Sequence, residues 1–115
     1  MDEDDARLAA LALPEVSERQ SWGMPAWFHR NLIARMWDDE RLTVRVEDDG
    51  ERLALVEQLP RVYSTTDHHA GSNLVLITLA AVDAGTLESH LAESWWWAAP
   101  PVLRKRYAHL GPTEP

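Results

Sequence analysis

No cysteine occurs in the 115-residue chain. This absence excludes a disulfide scaffold, a thiolate zinc site, a cysteine nucleophile and an iron–sulfur cluster. Long apolar runs are missing too: the longest, Leu74 to Val82, falls far short of the ~20 residues that cross a bilayer, so no membrane partner is expected. The chain contains no Gly-x-Ser-x-Gly elbow, no Gly-x-Gly-x-x-Gly and no phosphate loop. Serine-hydrolase and nucleotide chemistry therefore lack their usual supports, and an enzyme is not expected. Positive charge is scarce, with 11 basic against 19 acidic side chains and a net charge of −8. A net anion repels phosphate unless its basic groups are gathered on one face. The start, Met1-Asp2-Glu3-Asp4-Asp5, lacks the positive region of a secretory signal, which makes a cytoplasmic location the expectation.

What is present fits one domain over residues 1–110 with a short tail at 111–115, a length that buries a core without staples. Asp5 to Leu13 reads as a helix, with Leu8, Leu11 and Ala12 at helical spacing, acids before it and Pro14 to stop it. From Ser21 onward the pattern turns extended. Ala26–His29 and Leu32–Trp37 flank a tight turn at Arg30-Asn31, and Leu42, Val44 and Val46 alternate with polar residues as in a half-buried strand. A helix is expected over Glu51–Leu59, with Leu53, Val56 and Leu59 on one side, and Val62–Thr65 reads as a brief edge strand. His68–Asn73 reads as a loop and Leu74–Leu79 as a central strand covered on both faces. A long helix starts at the N-cap Asp83 and breaks at Pro100-Pro101; a last helical segment runs from Val102 to Leu110. The fold class is α+β, an antiparallel sheet packed against N- and C-terminal helices.

At 100° per residue, Leu87, Leu91, Ser94, Trp95 and Ala98 form the core face of the long helix. Trp97 shares a flank with His90, and Trp96 points almost opposite the core. A large aromatic in that position suits a contact surface, including a homodimer face. In the hairpin, a two-residue turn places Trp27, His29, Leu32 and Ala34 on one face and Phe28, Ile33, Arg35 and Trp37 on the other, which makes Trp27 and His29 candidate ligand contacts.

The remaining chemistry is sparse. Adjacent residues of an extended segment point to opposite sides, so His68 and His69 are poorly placed for one metal ion. No specific metal site or cofactor is expected. The acids Asp2 to Asp5 are read as a solvated chain end with at most weak cation affinity. Arg104-Lys105-Arg106 form one basic run, and Arg19, Arg30, Arg35, Arg41 and Arg45 belong to the sheet region. A basic face interleaved with Trp22, Trp27 or Trp37 can contact a nucleic-acid backbone and stack bases.

Gly23-x-Pro25-Ala26-x-Phe28, Ala34-Arg35, Leu74-Val75-Leu76, Val82-Asp83 and Ser94-Trp95 before Ala99-Pro100 together resemble the MmcQ/YjbR-like family. Leu13-Pro14-Glu15-Val16 and Leu59-Pro60-Arg61-Val62-Tyr63 extend the likeness to about residues 6–107. The resemblance implies a small bacterial domain similar in fold to the frataxin-like proteins. It also implies a DNA-binding role, by analogy to a "double wing" module of a phage transcription factor. The family pattern carries no catalytic residues. This chain departs from it at Pro101-Val102, where Lys-Arg is common, at Ser72-Asn73, where an aromatic is common, and at Trp96, a position often charged. Frataxin-like folds also raise iron binding by acids of the first helix, whereas here the acids precede it.

Two functions are therefore weighed. The first is a non-enzymatic DNA-binding module with phosphate contacts from Arg35, Arg45, Arg104, Lys105 and Arg106. The second is a protein-interaction or small-ligand domain that uses Trp96, or Trp27 and His29, with no nucleic-acid role.

Overall fold

The computed structural model describes residues 1–112. The elements run α1 (Glu3–Leu11), β1 (Ser17–Ser21), β2 (Met24–Phe28), β3 (Leu32–Met36), β4 (Arg41–Arg45), α2 (Asp49–Gln58), β5 (Tyr63–Ser64), β6 (Leu74–Thr78), α3 (Ala84–Ala98) and α4 (Pro101–Arg106). Short 3-10 turns lie at Asp67–His69, Leu79–Ala81 and Ala108–Leu110. The six strands form one antiparallel sheet in the order β1-β2-β3-β4-β6-β5. The α+β class expected from sequence is the class observed.

The first helix begins earlier than the periodicity of its leucines suggests. Asp2 is its N-cap: the Asp2 carboxylate accepts from the Asp5 amide at 3.0 Å and the Asp5 carboxylate from the Asp2 amide at 2.9 Å. This reciprocal pair satisfies two orphan donors of the first turn. The acidic run is thus a capping device that orders the start of α1 while Asp2 and Asp4 stay exposed to solvent. Arg7 then ties α1 to the sheet, donating to Glu18 of β1 at 2.7 Å, and Glu18 also accepts from the Trp27 indole N–H at 2.9 Å.

Cross-strand partners define the core face of the sheet. Trp27 pairs with Ala34, Ala34 with Val44, Val44 with Val75, and in the next row Met36 with Leu42, Leu42 with Ile77 and Ile77 with Tyr63. All of these are buried against Ala6 and Ala10 of α1 and Leu87, Leu91 and Trp95 of α3. Fully burying a large apolar side chain is worth about 1.5–3 kcal/mol, so this layer dominates the fold's stability. β6 lies between β4 and β5 with Val75, Leu76 and Ile77 buried, the central strand its continuous apolar run predicts.

The long helix presents the expected face: Leu87, Leu91, Ser94, Trp95 and Ala98 are buried, joined by His90. α2 differs from expectation. Leu53 and Leu59 are 50% and 52% exposed, whereas Arg52 is buried at 4% exposure, held by Asp49 and Thr65. The helix lies beside β5 and β6 at the sheet edge, so only part of one side is covered and Leu55 and Val56 do the packing.

Candidate nucleic-acid interface

The opposite sheet face, against which α1 and α3 do not pack, carries the arginines, with Ala26, Thr43 and Leu76 buried between them. Its central row runs Arg19, Ala26, Arg35, Thr43, Leu76, Ser64 across the strands. Arg45 sits diagonally from Arg35, about 7–8 Å away by sheet geometry. Arg19 lies two strand spacings from Arg35, roughly 10 Å. Two aromatics stand among them: the Arg19 guanidinium lies 3.9 Å over the Phe28 ring, and that of Arg35 lies 5.7 Å from the Trp37 ring. Arg35 Nε donates to the Ser21 carbonyl at 3.0 Å and Arg45 Nε to the Leu32 carbonyl at 2.9 Å. Among the described residues no acidic side chain pairs with Arg19, Arg35 or Arg45; the nearby ion pair is Arg41 with Asp38 at 2.7 Å. Partial burial works against the charge of Arg45, which raises its need for an anionic partner.

Beside this row, the 3-10 turn places both His68 and His69 against Trp37, with ring centroids 5.9 and 4.9 Å from the indole. They do not point to opposite sides as an extended segment requires, because the turn rotates them onto one aromatic. His69 is buried, and desolvation, followed by the charges of His68, Arg52 and Arg35, holds its imidazole below its ordinary pKa. No group of three or more metal-ligating side chains gathers among the described residues.

The expected phosphate contacts divide. Arg35 and Arg45 share the sheet face. The basic run of α4 lies apart from it and is largely engaged. Arg104 Nε donates to the Trp96 carbonyl at 3.1 Å with its guanidinium over the Trp96 and Trp97 rings, and Arg106 pairs with Glu15 at 2.8 Å. Lys105 is exposed on the same short helix. Sequence reasoning did not include Arg19 and Phe28 in the site. Their signal was the Trp22-Gly23 turn, which closes β1 onto β2 and brings Arg19 beside Arg35.

The expected aromatic contacts divide. Trp27 is fully buried under α1, so it offers no ligand contact. His29 accepts the Arg30 and Asn31 amides on Nδ1, at 2.7 and 3.1 Å, which leaves the proton on Nε2 to donate to the Trp95 carbonyl at 3.0 Å. With Asn31 donating to the Ala98 carbonyl at 2.8 Å, it caps the end of α3 with the β2–β3 turn. Burial lowers its pKa further. Trp96 is half-buried, not free, because the chain beyond α4 folds back and seats Gly111 against its ring. A Cβ at Gly111 would lie 2.8 Å from the Trp96 ring, an approach open only to glycine. The expected tail from Gly111 therefore begins in contact with the fold, and residues 113–115 lie outside those described.

Trp96 and Trp97 line a cleft of about 350 Å³ together with Glu47, Glu51 and Glu93. Desolvation and the charge of Glu51 raise the Glu93 carboxyl above its ordinary pKa. No helix among the described residues is long and apolar enough to cross a membrane.

Comparison with known proteins places this architecture. The DUF419 domain of Deinococcus radiodurans protein DR2400 superposes with a TM-score of 0.71 at 22% identity, covering 90% of this chain and 85% of that one, a likeness that carries the fold. Uncharacterised proteins Rv2570 of Mycobacterium tuberculosis and Mb2600 of Mycobacterium bovis are 42% identical over 60 residues. That match spans 52% of this chain and 46% of each relative, so about half of the curated relatives' length is matched. The YjbR family model matches residues 11–97, which hold the whole sheet, Arg19, Arg35 and Arg45 and nearly all of α3: the chain belongs to the YjbR family.

Proposed function

We propose that this protein is a binding module, not an enzyme, that holds DNA on the arginine face of its sheet. One observation carries the reading: Arg19, Arg35 and Arg45 share a face without acidic partners and with Phe28 and Trp37 among them. Guanidinium groups supply the phosphate contacts and the aromatics supply apolar surface for sugar or base. The DNA-binding role implied by the family resemblance supports the same reading, while the engaged Arg104 and Arg106 move the contact away from α4.

Fluorescence anisotropy with labelled DNA at ~50 mM salt tests it. Micromolar or tighter binding is expected, falling steeply as salt rises because each neutralised phosphate releases counterion. Arg19→Ala, Arg35→Ala and Arg45→Ala should each weaken binding and lower the salt slope by about one. Lys105→Ala should change neither. No binding of single-stranded or duplex DNA at micromolar protein sinks the proposal.

A second reading, a small-ligand domain, has the Trp96–Trp97 cleft in its favour. The Arg104 guanidinium already lies over both indoles, and three carboxylates beside them suit a further, organic cation. Titration with alkylammonium ions, followed by thermal melting, should then raise the melting temperature; a flat response to millimolar ligand removes this reading.

A further inference from the structure

Trp22 occupies the first central position of the turn joining β1 to β2 and is 91% exposed. Its φ is +55° and that of Gly23 is +78°, with Ser21 paired to Met24. Left-handed torsions at both central positions define a type I′ turn, whose first place favours asparagine, aspartate or glycine. A β-carbon bearing an indole is disfavoured in that torsion, and exposure of this degree leaves no packing to offset the strain. The fold therefore gains nothing from this side chain, although the turn itself is firmly placed. Arg35 Nε holds the Ser21 carbonyl at 3.0 Å, and Arg19, two residues before Ser21, stacks on Phe28. The tryptophan thus stands at the rim of the arginine face, on a braced hairpin.

We infer that Trp22 is a stacking platform for an unpaired base, and that the partner of the arginine face is single-stranded nucleic acid. The inference rests on the DNA-binding reading above and adds the strand state of the partner. Every base offers a π-face, so an exposed indole next to guanidinium groups binds single strands with little sequence preference. In a duplex both faces of each base are already stacked, and the indole would have to unstack a step before it could engage. Charge complementarity selects a polyanion over an apolar protein groove: Arg19 and Arg35 flank the turn, neither of them paired with an acid among the described residues, and in the neighbouring β3–β4 turn Asp38 is paired with Arg41.

The test compares a labelled oligothymidylate with a duplex of equal length against the full chain and its Trp22→Ala, Trp22→Phe, Trp22→Asn and Arg35→Ala variants. The single strand should bind at least ten-fold more tightly than the duplex. Trp22→Ala should weaken single-strand binding about ten-fold or more with the salt slope unchanged, since stacking releases no counterion. Trp22→Phe should keep most of the affinity. Trp22→Asn should lose affinity while melting at a higher temperature, because asparagine accepts the left-handed torsion. Binding that falls with Arg35→Ala but is unchanged by Trp22→Ala overturns the inference and leaves the arginine-face reading standing. Equal affinity for duplex and single strand overturns the strand preference. Wild-type binding to neither overturns the arginine-face reading, and this inference with it.

Discussion

Ser94 sits where the β3–β4 ladder parts: its hydroxyl donates to the Ile33 carbonyl at 2.5 Å and accepts the Arg45 amide at 2.8 Å. One α3 side chain thereby replaces a missing strand-to-strand bond and locks the long helix to the sheet. Ser94→Ala leaves a buried carbonyl and a buried amide without partners, at a cost of about 1–3 kcal/mol. Thermal or urea unfolding should register that loss, while Ser94→Thr, which keeps the hydroxyl, tests whether the space tolerates a methyl group. Buried and half-buried histidines set the acid limb. His29, His69 and His90 each titrate below the ordinary 6.5 because burial disfavours the imidazolium, His90 with its Nε2 at 2.6 Å from the Tyr63 hydroxyl. As pH falls through 6.5 the unfolded chain takes up protons that the native state refuses, so stability declines from there downward. Melting temperatures recorded from pH 7.5 to 5 should show this slope, and His90→Gln should flatten it.

At the level of elements, α3 and β6 were legible because each declares itself locally, one by a 100° stripe of Leu87, Leu91 and Trp95, the other by an unbroken apolar run. β1 was not. Ser17–Ser21 contains no apolar residue and is exposed along most of its length, so its extended state comes from pairing with β2 through a turn that lacks the usual Asn-Gly pair. The interface split the same way. Arg35 and Arg45 fall out of period-2 alternation, whereas the fates of Arg104 and Arg106 depend on an α3 carbonyl and on Glu15, far away in sequence. Trp96 is half-buried against the edge of the core, and only the returning chain at Gly111 reveals what covers its ring. An edge strand paired on one side opens more readily than a central one. Amide exchange should therefore be fastest in β1, slower in β2, and slowest in β4 and β6; equal protection of β1 and β6 would contradict this order.

For the whole molecule, a net charge of −8 is distributed unevenly. Capping acids gather at the start of α1, and Glu47, Glu51 and Glu93 line the cleft beside α3, on the side of the sheet away from Arg19, Arg35 and Arg45. The consequence concerns encounter rather than affinity. A polyanion is repelled by the acidic helical side and attracted by the sheet face, so the protein turns as it approaches and collides preferentially in one orientation. Association should then be slow for a random encounter yet accelerate when cleft acids are neutralised. In stopped-flow mixing, Glu93→Gln should raise the on-rate for DNA at low salt and leave the off-rate unchanged, although Glu93 lies on the far side of the protein from the bound strand.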